Sequence, residues 1–71
     1  MPLAMLEKGK KGTIQRLSGP LKIVKHLEDM GFVVGETVMV ISTIKGNLIV
    51  EIKGTRLAMD MAMANRIIVQ I

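Results

Sequence analysis

The sequence predicts a mainly β fold: a small five-stranded barrel with one or two short helices. Three observations point there. Short runs of Val, Ile and Thr recur, each bounded by a glycine-containing turn. Only one stretch of any length, Pro20 to Met30, carries helical spacing. Strands this short must curl together to share one core and remove free edges.

The 71 residues allow one domain with one small core. With 49% apolar residues, a folded state is favoured over disorder. Phe32 is the only aromatic residue, so the core must be aliphatic and Met-filled.

The elements follow in order. Pro2 to Glu7 is apolar, with Leu3 and Leu6 one helical turn apart, and should lie against the fold. Lys8 to Gly12 reads as a turn, and Thr13 to Leu17 as a strand. Ser18-Gly19-Pro20 breaks that strand and opens a helix, with Ser18 or Gly19 as cap and Pro20 in the first turn. Leu21, Val24 and Leu27, widened by Ile23 and Met30, make its apolar stripe. Lys22, Lys25, His26 and Asp29 take the opposite face. Gly31 stands where the helix needs a left-handed residue to end, and Phe32 where an apolar residue can fold back on the last turn.

Gly35-Glu36 is a tight turn into a strand from Thr37 to Ser42. Val38 to Ile41 are consecutive apolar residues, so both faces of that strand should be covered. Lys45-Gly46-Asn47 marks a hairpin, Leu48 to Ile52 its returning strand, Lys53-Gly54 a further turn and Thr55 to Ala58 a fourth strand. Asp60 caps a brief helix to about Asn65, and Ile67 to Ile71 closes as a strand. The layout fits an SH3-like barrel with the first helix over one open end.

Composition also excludes. The absence of cysteine removes disulfides, thiolate metal sites and a Cys nucleophile. No apolar run reaches the roughly 18 residues that a membrane span needs, and the N-terminus makes a poor secretory signal, so a cytoplasmic protein is expected. The formal charge is +4, with Lys8, Lys10, Lys11, Arg16, Lys22 and Lys25 all within the first 25 residues. That bias suits an anionic partner, although a solvated surface has the same look.

One set of motifs runs through the whole chain in order: Pro2-Leu3, Leu6, Gly9 and Gly12; Leu27, Met30-Gly31-Phe32, Gly35, Val38 and Val40; Gly46 and Leu48 to Val50; Gly54 to Met59; and Ala64, Ile67 and Val69. In these motifs the chain resembles the FeoA family. The sequence departs from the family's usual pattern at Asp60 to Met63, where charged residues are commoner. The resemblance implies an SH3-like fold and an accessory role in ferrous iron uptake. It implies action by binding a transmembrane ferrous iron transporter of the FeoB type, with its G-protein domain, rather than by moving iron. The module is also similar to the C-terminal domain of iron- or manganese-dependent repressors, but the chain is too short to add their DNA-reading domain.

The candidate chemistry is sparse. His26 and Asp29, three residues apart on one helix face, could hold a divalent cation weakly. A tight site needs about three or four protein ligands, and an ordinary surface pair has the same spacing. Met59, Met61 and Met63 offer soft thioethers, but on a helix they spread over about 200° and suit core packing or an adaptable contact surface better than a metal. The basic turn of Lys8, Lys10 and Lys11, with Arg16, supports a nucleic-acid-binding barrel as an alternative function. No Tyr or Trp accompanies it for base stacking, which disfavours that reading. A free-standing metal-sensing domain built on His26 is the other alternative.

No Ser lies near a base in the sequence, and there is no P-loop. An enzyme, a cofactor and a small-molecule substrate are therefore not expected. The expected function is contact with the transporter, through Lys22, Lys25, His26, Asp29, Met61 and Met63.

Overall fold

The computed structural model describes residues 1–71. A 3-10 turn (Leu3–Met5) precedes β1 (Lys11–Leu17) and α1 (Leu21–Asp29). Then come β2 (Thr37–Ile44), β3 (Asn47–Ile52), β4 (Thr55–Asp60), α2 (Met61–Ala64) and β5 (Ile67–Gln70). All pairing is antiparallel, in the order β4-β3-β2-β1-β5. The expected five-stranded, SH3-like architecture is present.

Two hairpin loops fix the register. Lys45-Gly46 (φ 48° and 79°) and Lys53-Gly54 (φ 51° and 77°) both place two consecutive residues at positive φ. This is the type I′ turn that matches the twist of the strands it joins. A bulge between Val40 and Ser42 bends β2, and a second between Ile14 and Arg16 bends β1. The bends let one sheet wrap a single core of Leu3, Leu6, Ile14, Leu27, Phe32, Val38, Val40, Leu48, Val50, Ile52, Met59, Ala64, Ile67 and Val69.

The sheet is not closed by strand pairing between β4 and β5. The outer side of β5 is paired instead by the first residues: Val69 N–H donates to the Met1 carbonyl at 2.7 Å, and Pro2 bridges Ile68. α2 links the two end strands and packs against β3, β4 and the Leu3–Met5 turn.

Several local expectations are corrected. Gly12 belongs to β1 rather than to a turn. It is needed for close approach, because a Cβ there would sit 3.1 Å from Val69 Cβ. Neither Ser18 nor Gly19 caps α1. Pro20 stands outside the helix as the N-cap residue, with extended ψ and no side-chain cap. The Ser18 N–H instead donates to the Arg66 carbonyl at 2.8 Å, which ties the end of β1 to the segment after α2.

The apolar stripe of α1 is also rotated. Leu21 is 70% exposed, while Ile23, Leu27 and Met30 pack on the core. Residues at i, i+4 and i+7 stay within about 60° of one another, whereas i, i+3 and i+6 drift by about 120°. The tighter set was the one that could be buried. On β2, Val38 and Val40 are buried but Met39 and Ile41 are only half-buried, so one face of that strand remains partly open. Finally, β4 runs on through Asp60, which places Met59 on a strand.

The end of α1 is as expected and is closed on both sides. Gly31 N–H donates to the Glu28 carbonyl at 2.9 Å, and Phe32 N–H to that of Leu27 at 3.0 Å. These are the two bonds of a Schellman cap, and its apolar contact is supplied by Leu27 and Phe32, both fully buried. Gly31 has φ +103°. Its absent Cβ would meet nothing nearer than Ile52 Cγ2 at 3.9 Å, so a Gly31→Ala variant is disfavoured by backbone conformation rather than by space. The expected cost is about 1–2 kcal/mol, read as a lower urea midpoint with an unchanged slope.

Candidate functional site

The exposed face of α1 gathers four polar side chains on one short element. With about 100° of turn per residue, Lys22, Lys25, His26 and Asp29 fall within an arc of about 100°. All four are exposed. The opposite side of the helix is anchored by Leu27, and the C-terminal end is locked by the Gly31–Phe32 cap. The charges are therefore presented on a short, fixed element, although none of the four makes an ion pair within the chain.

Leu21 joins this face, which sequence reasoning missed. It lies about 40° from Lys25 around the helix, and its exposure puts an apolar contact beside two lysines. The signal was available in the spacing: Ile23, Leu27 and Met30 form the tighter stripe, which leaves Leu21 outside it.

Met61 and Met63 occupy a different element. α2 is a single turn, capped by Asp60 Oδ1, which accepts from Met63 N–H at 2.7 Å. Both methionines are half-buried and packed against the core. Met59 is 7% exposed and is part of the core itself. The three thioethers are thus divided between a strand and a helix turn, with their outermost atoms shared between core and surface.

His26 and Asp29 lie on one face as the sequence indicates. No three His, Cys, Asp or Glu side chains come together anywhere in the chain. Lys8, Lys10, Lys11 and Arg16 are all exposed. The surface has no pocket, and no helix is long and apolar enough to cross a membrane. What the molecule offers another species is its helix faces, strand edges and turns.

A family model described as the FeoA domain matches residues 1–71. The chain belongs to the FeoA family. Solved structures agree. An iron uptake regulatory protein (FeoA) is 29% identical with a TM-score of 0.90, over 97% of this chain and 92% of that one. FeoA of Stenotrophomonas maltophilia, solved with zinc, is 28% identical with a TM-score of 0.82, over 99% of this chain and 89% of that one. It is described as a prokaryotic SH3 domain protein possibly acting as an activating factor for bacterial ferrous iron transport. A manganese-dependent transcriptional repressor shares the fold at 19% identity and a TM-score of 0.86, but the chain spans only 41% of it. No curated protein matches the chain. The FeoA fold thus recurs both as a free-standing chain and as one part of a larger regulator.

Proposed function

We propose that this FeoA-family chain is an accessory protein of ferrous iron uptake that docks on the cytoplasmic part of a transmembrane ferrous iron transporter, of the FeoB type with its G-protein domain, and modulates it. The observation that carries this reading is the match of the FeoA domain over the whole chain. A surface without a pocket fits a protein that acts by contact. The docking face is that of Lys22, Lys25, His26 and Asp29 on α1, with Leu21 at its margin. Met61 and Met63 contribute a second, adaptable contact.

Two lysines on a fixed helix favour an acidic patch on the partner, and such charges act mainly on encounter rate and specificity. The test is a pull-down with the transporter's cytoplasmic domain, together with uptake of radioactive ferrous iron in a deletion strain. Native chain should restore uptake. A Lys22→Glu, Lys25→Glu double variant should bind roughly tenfold more weakly and lose binding less steeply with salt. Restoration of uptake by the double variant would remove α1 as the docking face, and unchanged uptake in the deletion strain would remove the function.

A further inference from the structure

The outer edge of β4 is uncovered. β4 ends the strand order, whereas β5 at the other end is paired by Met1 and Pro2. The loop Lys53-Gly54 makes Ile52 and Thr55 the closing pair of the β3–β4 hairpin. In a two-residue hairpin that pair is hydrogen-bonded, and bonded and non-bonded pairs then alternate. Thr55, Leu57 and Met59 therefore direct their N–H and C=O groups to β3. Arg56 and Ala58 direct theirs outward, and no other segment of the chain bonds to them. Such an edge is a template for one more strand.

The side chains select which strand. We propose that the β4 edge is an isologous interface, pairing antiparallel with β4 of a second copy about a two-fold axis through Ala58. In that register Ala58 faces its own counterpart. Arg56 faces Asp60 of the second copy, and symmetry repeats the pair. Arg56, Ala58 and Asp60 are all exposed, and all lie on the outer face of the sheet. Opposite charges directly across a ladder stabilise it, and like charges destabilise it.

The neighbouring symmetric registers that keep the same pairing geometry bring Arg56 onto Arg56, or Asp60 onto Asp60. A parallel pairing aligns like with like as well. Only the register centred on Ala58 satisfies both charges, and it puts the smallest side chain of the three on the axis. Arg56 Nε already lies 3.8 Å from Glu51 Oε1, so it would sit between two carboxylates. On the inner face the same register sets half-buried Leu57 against Met59 of the second copy, which continues the aliphatic core across the edge. α2 follows β4 directly and packs on β4, β3 and the Leu3–Met5 turn, while no backbone bond from it reaches Arg56 or Ala58. The product is a continuous sheet of ten strands. The α1 face takes no part in it, so a Lys22→Glu, Lys25→Glu variant that loses transporter docking should still self-associate.

Sedimentation equilibrium of the native chain up to millimolar concentration should show the mass rising towards twice the 7.8 kDa of one chain. A single-chain mass throughout overturns the proposal. Ala58→Pro removes an outward N–H without touching the β3 ladder, and should stay monomeric with unchanged circular dichroism and urea midpoint. A persistent dimer in that variant places the interface elsewhere and also overturns it. Arg56→Glu should weaken association about tenfold.

Because the chain has no cysteine, Ala58→Cys gives a direct reading of register. Facing Cα atoms of a bonded pair lie about 5.5 Å apart, within disulfide reach. Ala58→Cys should form a covalent dimer under mild oxidation much faster than Lys25→Cys does. Equal rates for the two variants count against the register.

Discussion

Replacing Phe32 by alanine is expected to cost about 3–5 kcal/mol. The ring is fully buried in the aliphatic core at the capped end of α1. It is also the only aromatic side chain, so no neighbouring ring can shift to fill the space. A chain of this length has a total stability of roughly 4–11 kcal/mol, so the loss is a large part of the whole. Phe32 N–H also closes the helix through the Leu27 carbonyl. Truncation of its side chain should therefore loosen α1 before the sheet unfolds.

Two readings follow from this prediction. In urea, Phe32→Ala should lower the midpoint by a large fraction of its native value, whereas Phe32→Leu should cost about 1–2 kcal/mol. By hydrogen exchange, the amides of α1 should lose protection first, because a helix with one fully buried side chain, two half-buried ones and a cap has a lower opening energy than the paired strands. Protection of α1 equal to that of β3 in Phe32→Ala would refute the role given to the ring.

The features that were legible in the sequence share a cause: each was set by local chemistry. The hairpins follow from Lys-Gly pairs that accept positive φ, the helix end from Met30-Gly31-Phe32, and the short helix from Asp60, whose carboxylate reaches Met63 N–H. The features that were not legible are set by what lies across the core. Gly12 looks like a turn residue in a run of lysines and glycines. It is a strand residue only because Val69 comes so close, and nothing near Gly12 in the sequence announces Val69. Ser18 looks like a cap, but the Arg66 carbonyl 48 residues away takes its N–H and its hydroxyl.

The site divides in the same way. The charged arc of α1 is a matter of spacing and was readable. The exposure of Leu21 depends on which apolar stripe the barrel selects. The open edge of β4 required knowing that β4 ends the strand order.

Met59, Met61 and Met63 look equivalent in the sequence, and the structure makes them unequal. The register that pairs Leu48 with Met59 turns the Met59 side chain into the core, beside Leu48 and Val50. The chain then enters α2, and Met61 and Met63 lie half on the core and half in solvent. Met59→Asp should accordingly be the most damaging of the three aspartate variants. It places a carboxylate too short to reach water inside an aliphatic core that has no buried polar partner. The effective cost of such a charge is several kcal/mol, added to the loss of the methionine packing, and the expected result is an unfolded chain at 37 °C. Met61→Asp and Met63→Asp should remain folded, with costs of about 1–3 kcal/mol. For Met61 the cost is partly offset by a negative charge at the first position of α2. Circular dichroism of the three variants side by side checks the ranking. If all three fold equally well, Met59 does not face the core, the strand assignment through Asp60 fails, and the edge pattern of Arg56, Ala58 and Asp60 fails with it.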